Sequence, residues 1–137
     1  MDFQGILNQI QSKQVVVIGD LILDKYIEGK ADRISPEAPV PVVEVTHESV
    51  RFGGAANVAY NISSLGGIVE VIGVVGGDQN GETLMGMFNR SGIGTNGIFI
   101  DSDRPTSTKS RLIADRQQIV RIDRESKAPL AESVFSV

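Results

Sequence analysis

Two mostly apolar stretches constrain the fold of this 137-residue chain more than any other feature. The first, Gln14 to Gly19, gives the continuous apolar run VVVIG, and the second covers Val69 to Val75. Runs without polar alternation are typical of strands that are buried on both faces of a parallel sheet. A third short strand is predicted from Gly97 to Asp101. We therefore expect a central parallel sheet to which these residues contribute about three strands.

Helical patterns precede and separate these strands. The apolar positions at helical spacing are Phe3, Ile6, Leu7 and Ile10 for the first helix, Val58, Ala59, Ile62 and Leu65 for the second, and Leu84, Met85 and Phe88 for the third. Asp2 is a predicted N-cap, and Gly66, Gly67 and Gly92 predict helix ends. Alternating helices and buried strands favour an α/β doubly wound sheet. A complete sheet of this type usually has ~5–6 strands, so we expect the front part of a larger domain.

Two further stretches predict antiparallel pairing. Residues from about 25 to 50 are rich in β-formers, and Pro36, Pro39 and Pro41 exclude a helix among them. The alternation from Val43 to Glu48 is typical of a sheet with one solvent-facing side. Residues 106–114 and 117–123 predict a hairpin with its turn at Ala114–Gln117.

The composition excludes several classes of function. Thirteen basic and 17 acidic residues give a net charge of −4, which argues against a nucleic-acid partner. The chain has no Cys, so thiol catalysis, disulfides and thiolate zinc sites are excluded, and its single His leaves no His-rich metal site. No apolar run approaches the ~20 residues of a membrane span. The N-terminus is too polar for a signal peptide, so we expect a cytoplasmic protein with no membrane partner.

The segment from Gly53 to Asn57 (GGAAN) is the sharpest motif. It follows the β-rich stretch and opens the second helix. Glycines at such a junction let backbone approach a ligand closely, and a helix N-terminus offers free N–H groups. Asn57 adds an amide that can bond to hydroxyls. The same residues also fit an ordinary loop and helix start, and spacing alone does not separate the two readings.

Charged residues near the strand ends are the other candidates. Asp20 and Asp24 follow the first buried strand, and ligands collect beyond the carboxyl ends of such strands. Either residue also fits a cap or a surface charge. Residues 104–127 hold seven of the 13 basic residues. A solvated hairpin explains them, and so does a phosphate contact by one or two of them.

These motifs together resemble the ribokinase-like (PfkB) carbohydrate kinases. The segment Gly53–Ala59, followed by Gly66 and Gly76, is similar in every spacing to the N-terminal signature of that family. The strand with Asp24 resembles the family's opening strand and its sugar-binding aspartate. The resemblance extends from about Phe3 to Arg124. It implies that residues 1–137 form the N-terminal portion of the kinase domain, with a small β lid at about 25–50.

The resemblance also implies an activity. The stretch ISPEAPVPV is similar to members that phosphorylate the anomeric hydroxyl of D-glycero-D-manno-heptose 7-phosphate, a precursor of lipopolysaccharide core, with ATP and Mg²⁺. Another sugar kinase of the family, acting on a ribose- or fructose-like substrate, is an alternative. A second alternative is a sugar-binding or assembly module without enzyme activity.

Site residues carried over from the family divide into two groups. Asp24, Gly53, Gly54 and Asn57 correspond to residues that hold sugar hydroxyls. Lys109 falls where phosphosugar members carry a basic phosphate contact, and Arg33 is a weaker candidate for the same task. No metal ligand is assigned. The resemblance implies that the hairpin at 106–123 supplies lid strands or substrate contacts. It also implies a homo-oligomer that forms through the lid strands.

One departure from the family concerns the catalytic base. The family carries it as an Asp in a G-A-G-D segment, and the 137 residues contain no such segment. No catalytic residue is therefore assigned. We expect the chain alone to lack kinase turnover and to associate through the lid or through an unpaired strand edge.

Overall fold

The computed structural model describes residues 2–11 and 13–130. The elements in chain order are α1 (Phe3–Ile10), β1 (Gln14–Ile18), β2 (Leu21–Ile34), β3 (Pro41–Gly53), α2 (Gly54–Ser64), β4 (Ile68–Gly76), α3 (Gln79–Arg90), β5 (Gly94–Asp101), β6 (Ser107–Ala114) and β7 (Gln117–Arg124). Each helix and strand predicted from the sequence is present. β2 and β3, which contain the β-rich stretch, have 14 and 13 residues.

β1, β4 and β5 form a parallel sheet in the order β1-β4-β5, which confirms the α/β prediction. Alternate residues of β1 and β4 face the helices because successive side chains of a strand point to opposite faces. They pack against Ala56 and Ala59 of α2 and against Leu84 and Phe88 of α3. The core therefore lies between this sheet and its two helices.

β1 is covered on one face rather than on two. Val17 is buried, whereas Val16 and Ile18 are 57% and 73% exposed. The prediction that this strand is buried on both faces is wrong for the described part of the chain. The reason is geometric, because the α2 side chains that pack on β1 meet only the Val17 face.

The second sheet has four strands in the order β3-β2-β6-β7. β2 pairs antiparallel with β3 on one side and parallel with β6 on the other. β6 and β7 form the predicted hairpin. Asp115 and Arg116 at its turn have φ values of 50° and 69°, the left-handed conformation that a two-residue type I′ turn requires.

A hydrogen-bonded cluster links the end of β4 and the start of α3 to the start of β6. Thr106, 1% exposed, donates its hydroxyl to Asp78 Oδ1 at 2.7 Å and accepts from the Gly76 N–H at 2.9 Å. Asp78 caps α3 by accepting from the Gly81 N–H at 2.9 Å. Burial by itself would raise the pKa of Asp78, but the bonds from Thr106 and from backbone N–H groups outweigh it and lower the pKa.

We expect Asp78→Asn to lower the free energy of unfolding at pH 7 by about 1–3 kcal/mol, because the network loses its charged acceptor. The lowered pKa means that the folded state favours the charged carboxylate. The stabilisation is therefore present above the ordinary value of 3.8 and is lost as the pH falls through the folded-state pKa. Urea unfolding at several pH values measures the free energy of unfolding of the original protein and of Asp78→Asn.

Thr106→Val removes a buried hydroxyl and should lower the free energy of unfolding by about 1–3 kcal/mol. The matched control is Thr83→Val, because the Thr83 hydroxyl is exposed and bonds to the Gln79 carbonyl within α3. Equal costs for the two variants would contradict a stabilising role for the Thr106 cluster.

Candidate functional site

A cavity of about 590 Å³ opens between the four-stranded sheet, α2 and the end of α3. Its volume is within the range of roughly 300–1,000 Å³ that is typical of small-molecule sites. The lining residues are Asp24, Tyr26, Val50, Arg51, Phe52, Gly53, Gly54, Asn57, Tyr60, Met87, Arg90 and Ser91. The structure therefore brings four of the predicted substrate residues to one wall: Asp24, Gly53, Gly54 and Asn57.

The junction of β3 and α2 is packed closely against Asp24. A Cβ atom on Gly53 would lie 2.9 Å from Asp24 Cγ, so a larger residue there would displace this carboxylate. Gly54 has φ +55°, and a Cβ there would lie 2.5 Å from the Asp20 carbonyl oxygen. The two glycines thus allow the chain to turn into α2 within van der Waals distance of β2.

The N-terminus of α2 opens onto the same cavity. The Ala55 N–H donates to the Asp20 carbonyl at 2.9 Å, which fixes the first turn against the start of β2. Gly53 is the N-cap and supplies no side-chain hydrogen bond. The exposed Asn57 amide lies one turn into the helix, beside this uncapped end. The first residues of α2 and the Asn57 residue therefore line the cavity at one point.

Asp24 is held by an arginine of the neighbouring strand. Arg111 Nη1 lies 2.8 Å from Asp24 Oδ1, and both side chains are largely buried, at 21% and 16% exposed. Apart from this ion pair, neither of the two atoms has a hydrogen-bond partner among the described residues. The bond to Asp24 raises the pKa of Arg111, so the guanidinium stays charged.

Tyr26 lies between two guanidinium groups. Arg51 is 4.8 Å and Arg111 is 5.3 Å from the centroid of its ring. Both distances are within the ~6 Å of a cation–π contact. The strand register explains the cluster, because Asp24 lies opposite Arg51 and Tyr26 lies opposite Arg111. Residues two apart on a strand share a face, so all four side chains project from one side of the sheet.

The structure does not bring the two predicted phosphate contacts to the cavity wall. Lys109 is the register partner of Asp24 on β6, but it does not line the cavity. Arg33 is exposed near the far end of β2 and pairs with Val42. Arg33 lies nine positions beyond Asp24, which is roughly 30 Å along an extended strand. Asp20 lines a different cavity, beside Ile18 and Arg104.

Sequence reasoning missed the aromatic and cationic part of the wall. It did not single out Tyr26, Arg51, Tyr60 or Arg90, and it named Arg111 only as one of seven basic residues. The period-2 pattern contained part of the signal, since Tyr26 must share a face with Asp24. The pairing partners of β2 were the missing information, and they are tertiary.

Residues 2–11 and 13–130 contain no group of three or more His, Asp or Glu side chains that could hold a metal ion. These residues also form no helix that is long and apolar enough to cross a membrane.

Most of the chain, including the cavity wall, matches a known protein family. Residues 12–135 match the profile of the pfkB family carbohydrate kinases. The chain belongs to the pfkB family of carbohydrate kinases. The family match therefore includes every residue that lines the cavity.

Two curated relatives are bifunctional proteins named HldE. The chain is 53% identical over 131 residues to the protein of Pelobacter propionicus, covering 96% of this chain and 27% of that protein. It is 59% identical over 112 residues to the protein of Geobacter sulfurreducens, covering 82% of this chain and 23% of that protein. The chain thus spans about a quarter of the length of these relatives.

A solved structure supports the fold. Arabidopsis thaliana ribokinase, complexed with ribose and ATP, superposes with a TM-score of 0.65 at 18% identity and covers 81% of this chain and 35% of that one. The ribokinase-like α/β fold expected from the sequence is confirmed.

The ion pair between Asp24 and Arg111 gives a stability test. We expect Arg111→Met to lower the free energy of unfolding by about 1–3 kcal/mol, because a largely buried carboxylate loses its charged partner. The matched control is Arg121→Met. Arg121 pairs with Asp123 at 2.9 Å on β7, but its side chain is 49% exposed, so its loss should cost under about 1 kcal/mol. Urea unfolding compares the two, and equal costs would contradict a special role for Arg111.

Proposed function

We propose that this chain is the sugar-binding part of a kinase that phosphorylates the anomeric hydroxyl of D-glycero-D-manno-heptose 7-phosphate. One observation carries the proposal: Asp24, the two glycines and Asn57 converge on one cavity of small-molecule size. The identity to the HldE proteins supports a heptose phosphate as the substrate, rather than a ribose- or fructose-like sugar. The product would serve the synthesis of ADP-heptose for lipopolysaccharide core.

The residues of the wall have complementary tasks in this proposal. The Asp24 carboxylate accepts hydrogen bonds from sugar hydroxyls, and Arg111 keeps it charged and oriented. The Asn57 amide and the N–H groups at the start of α2 bond to neighbouring hydroxyls. Gly53 and Gly54 let the sugar approach the backbone. Fixing the sugar in this way positions its hydroxyl for attack, which is the main contribution of binding to phosphoryl transfer.

We propose ATP as the phosphoryl donor, with Mg²⁺ to neutralise developing phosphate charge. The described residues do not fit a magnesium site, since they form no acidic cluster, and we derive no step through the metal. The general base is assigned to residues outside these 137, which lack the G-A-G-D segment. We further propose that the protein acts in the cytoplasm and that the four-stranded sheet is a lid through which two copies associate.

Substitution of the sugar ligands tests the proposed site. We expect Asp24→Asn and Asn57→Ala in the full-length protein to lower kcat/KM for heptose 7-phosphate by about one to two orders of magnitude, the equivalent of one lost hydrogen bond to a charged or closely held group. Asp32→Asn, in the exposed outer part of β2, is the control and should keep the original value. Urea unfolding of each variant separates loss of fold from loss of sugar use. Unchanged kinetics in Asp24→Asn would remove the proposed sugar site.

The assignment of the base predicts a second result. The 137-residue chain, incubated with ATP, Mg²⁺ and heptose 7-phosphate, should form no bisphosphate, because it contains no G-A-G-D base. Mass spectrometry of the sugar pool detects the product. Turnover by the pure chain would show that a residue within it serves as the base.

A further inference from the structure

Asp24 forms its ion pair with a diagonal neighbour rather than with the cation directly opposite. Lys109 is its register partner on β6, whereas Arg111 lies two residues further along that strand. Even so, Arg111 Nη1 lies 2.8 Å from Asp24 Oδ1, and Lys109 has no carboxylate within 4.0 Å among the described residues. The strand register alone therefore does not explain which cation pairs with Asp24.

A contact with the ring of Tyr26 explains the choice. Tyr26 lies directly opposite Arg111 in the register of β2 with β6. The Arg111 guanidinium is 5.3 Å from the ring centroid, a distance similar to the ~4.7–4.9 Å between neighbouring strands. The guanidinium can therefore lie over the ring across one strand spacing, and its attraction to the ring adds to the ion pair. Tyr26 thus favours Arg111 over Lys109 as the partner of Asp24.

Arg51 encloses the same ring from the other side. It comes from β3, whereas Arg111 comes from β6, and β2 lies between these two strands. The Arg51 guanidinium is 4.8 Å from the ring centroid, and no carboxylate lies within 4.0 Å of it in the part of the chain that the structure describes. Because a guanidinium lies on each side of the Tyr26 ring, the ring has little freedom to rotate.

The ion pair occupies one oxygen of Asp24 and leaves the other available. Oδ1 is buried against Arg111 Nη1. Within residues 2–11 and 13–130, Oδ2 forms no hydrogen bond and is not among the fully buried atoms without a partner. Since Asp24 lines the cavity, this second oxygen is open to a ligand.

We propose that Tyr26 is a positioning residue for sugar binding, because its ring keeps Arg111 on Oδ1 of Asp24 and leaves Oδ2 free to accept from a sugar hydroxyl. The inference rests on the proposed function, in which Asp24 is a sugar ligand. Without the ring, Arg111 gains freedom to rotate, and a guanidinium can bind both oxygens of a carboxylate in parallel. Sugar hydroxyls would then compete with Arg111 for Oδ2. Tyr26 acts before the sugar arrives, and a site arranged in advance loses less entropy on binding.

A double-mutant cycle in the full-length protein tests this role. Isothermal titration calorimetry measures binding of D-glycero-D-manno-heptose 7-phosphate without ATP, so no turnover is needed. We expect Tyr26→Leu to weaken binding about three- to tenfold, because the cation–π contacts are lost. Tyr26→Phe keeps the ring and should bind within about twofold of the original protein. Arg116→Gln, at the exposed hairpin turn, is the control and should leave the affinity unchanged.

The second arm of the cycle distinguishes positioning from a general structural role. If Tyr26 acts through Asp24, Tyr26→Leu should change binding less than about twofold in the Asp24→Asn background, because the charged oxygens that the ring protects are gone. The same loss in both backgrounds would show that the ring only supports the fold, and it would overturn the proposal. Equal losses in Tyr26→Phe and Tyr26→Leu would overturn it as well. Urea unfolding checks each variant, and Tyr26→Met replaces Tyr26→Leu if the latter does not fold.

The same titrations separate this inference from the proposed function. A full-length protein that does not bind the sugar overturns both, and so does an Asp24→Asn variant that binds it as well as the original protein. If Asp24→Asn weakens binding and Tyr26→Leu does not, the role of Tyr26 alone is wrong.

Discussion

The register of β2 with its two neighbours is the constraint on which the cavity depends. β2 pairs antiparallel with β3 and parallel with β6, so Asp24 faces Arg51 on one side and Lys109 on the other. Two residues further along β2, the same register places Tyr26 beside Arg111. A shift by one residue would send these side chains to the opposite face of the sheet. The alignment of backbone hydrogen bonds thus decides which charges meet.

The close approach of Gly53 to Asp24 joins this sheet to the rest of the chain. β3 ends at Gly53, and α2 begins at the next residue. Because Gly53 carries no Cβ, the Asp24 carboxylate lies directly against the start of α2. A second connection lies on the other side of β2, where Thr106 bonds to Asp78 just before β6 begins. The sheet that carries the charges is therefore attached to the core at both of its inner strands.

Local patterns in the sequence predicted the elements well. The apolar runs, the helical spacings and the hairpin turn each depend on residues that are close in the chain, and each element is present. The motif from Gly53 to Asn57 predicted a helix start, and the structure places that start on a cavity wall. The prediction that β1 is buried on both faces was wrong. Burial depends on what packs against a strand, and a five-residue run carries no information about its packing partners.

The candidate site was predictable only in part, for the same reason. Asp24 and Asn57 were singled out because one follows the first buried strand and the other lies at a helix start, although the structure places Asp24 within β2. Arg111 and Arg90 sit inside a strand and at a helix end, and nothing near them in the sequence distinguishes them from solvated charges. Arg33, the cation predicted in the lid, lies nine residues beyond Asp24 on the same strand and does not line the cavity.

The sequence by itself determined the order of helices and strands, the glycines that permit a close turn and the family to which the chain belongs. The tertiary structure decided which charged side chains share one space. The role of a charged side chain depends on its partners, and these come from different elements of the chain: Asp24 from β2, Arg51 from β3, Arg90 from α3 and Arg111 from β6. Local residue patterns encode backbone preferences, whereas the neutralisation of a charge within a cavity depends on long-range pairing that no local pattern specifies.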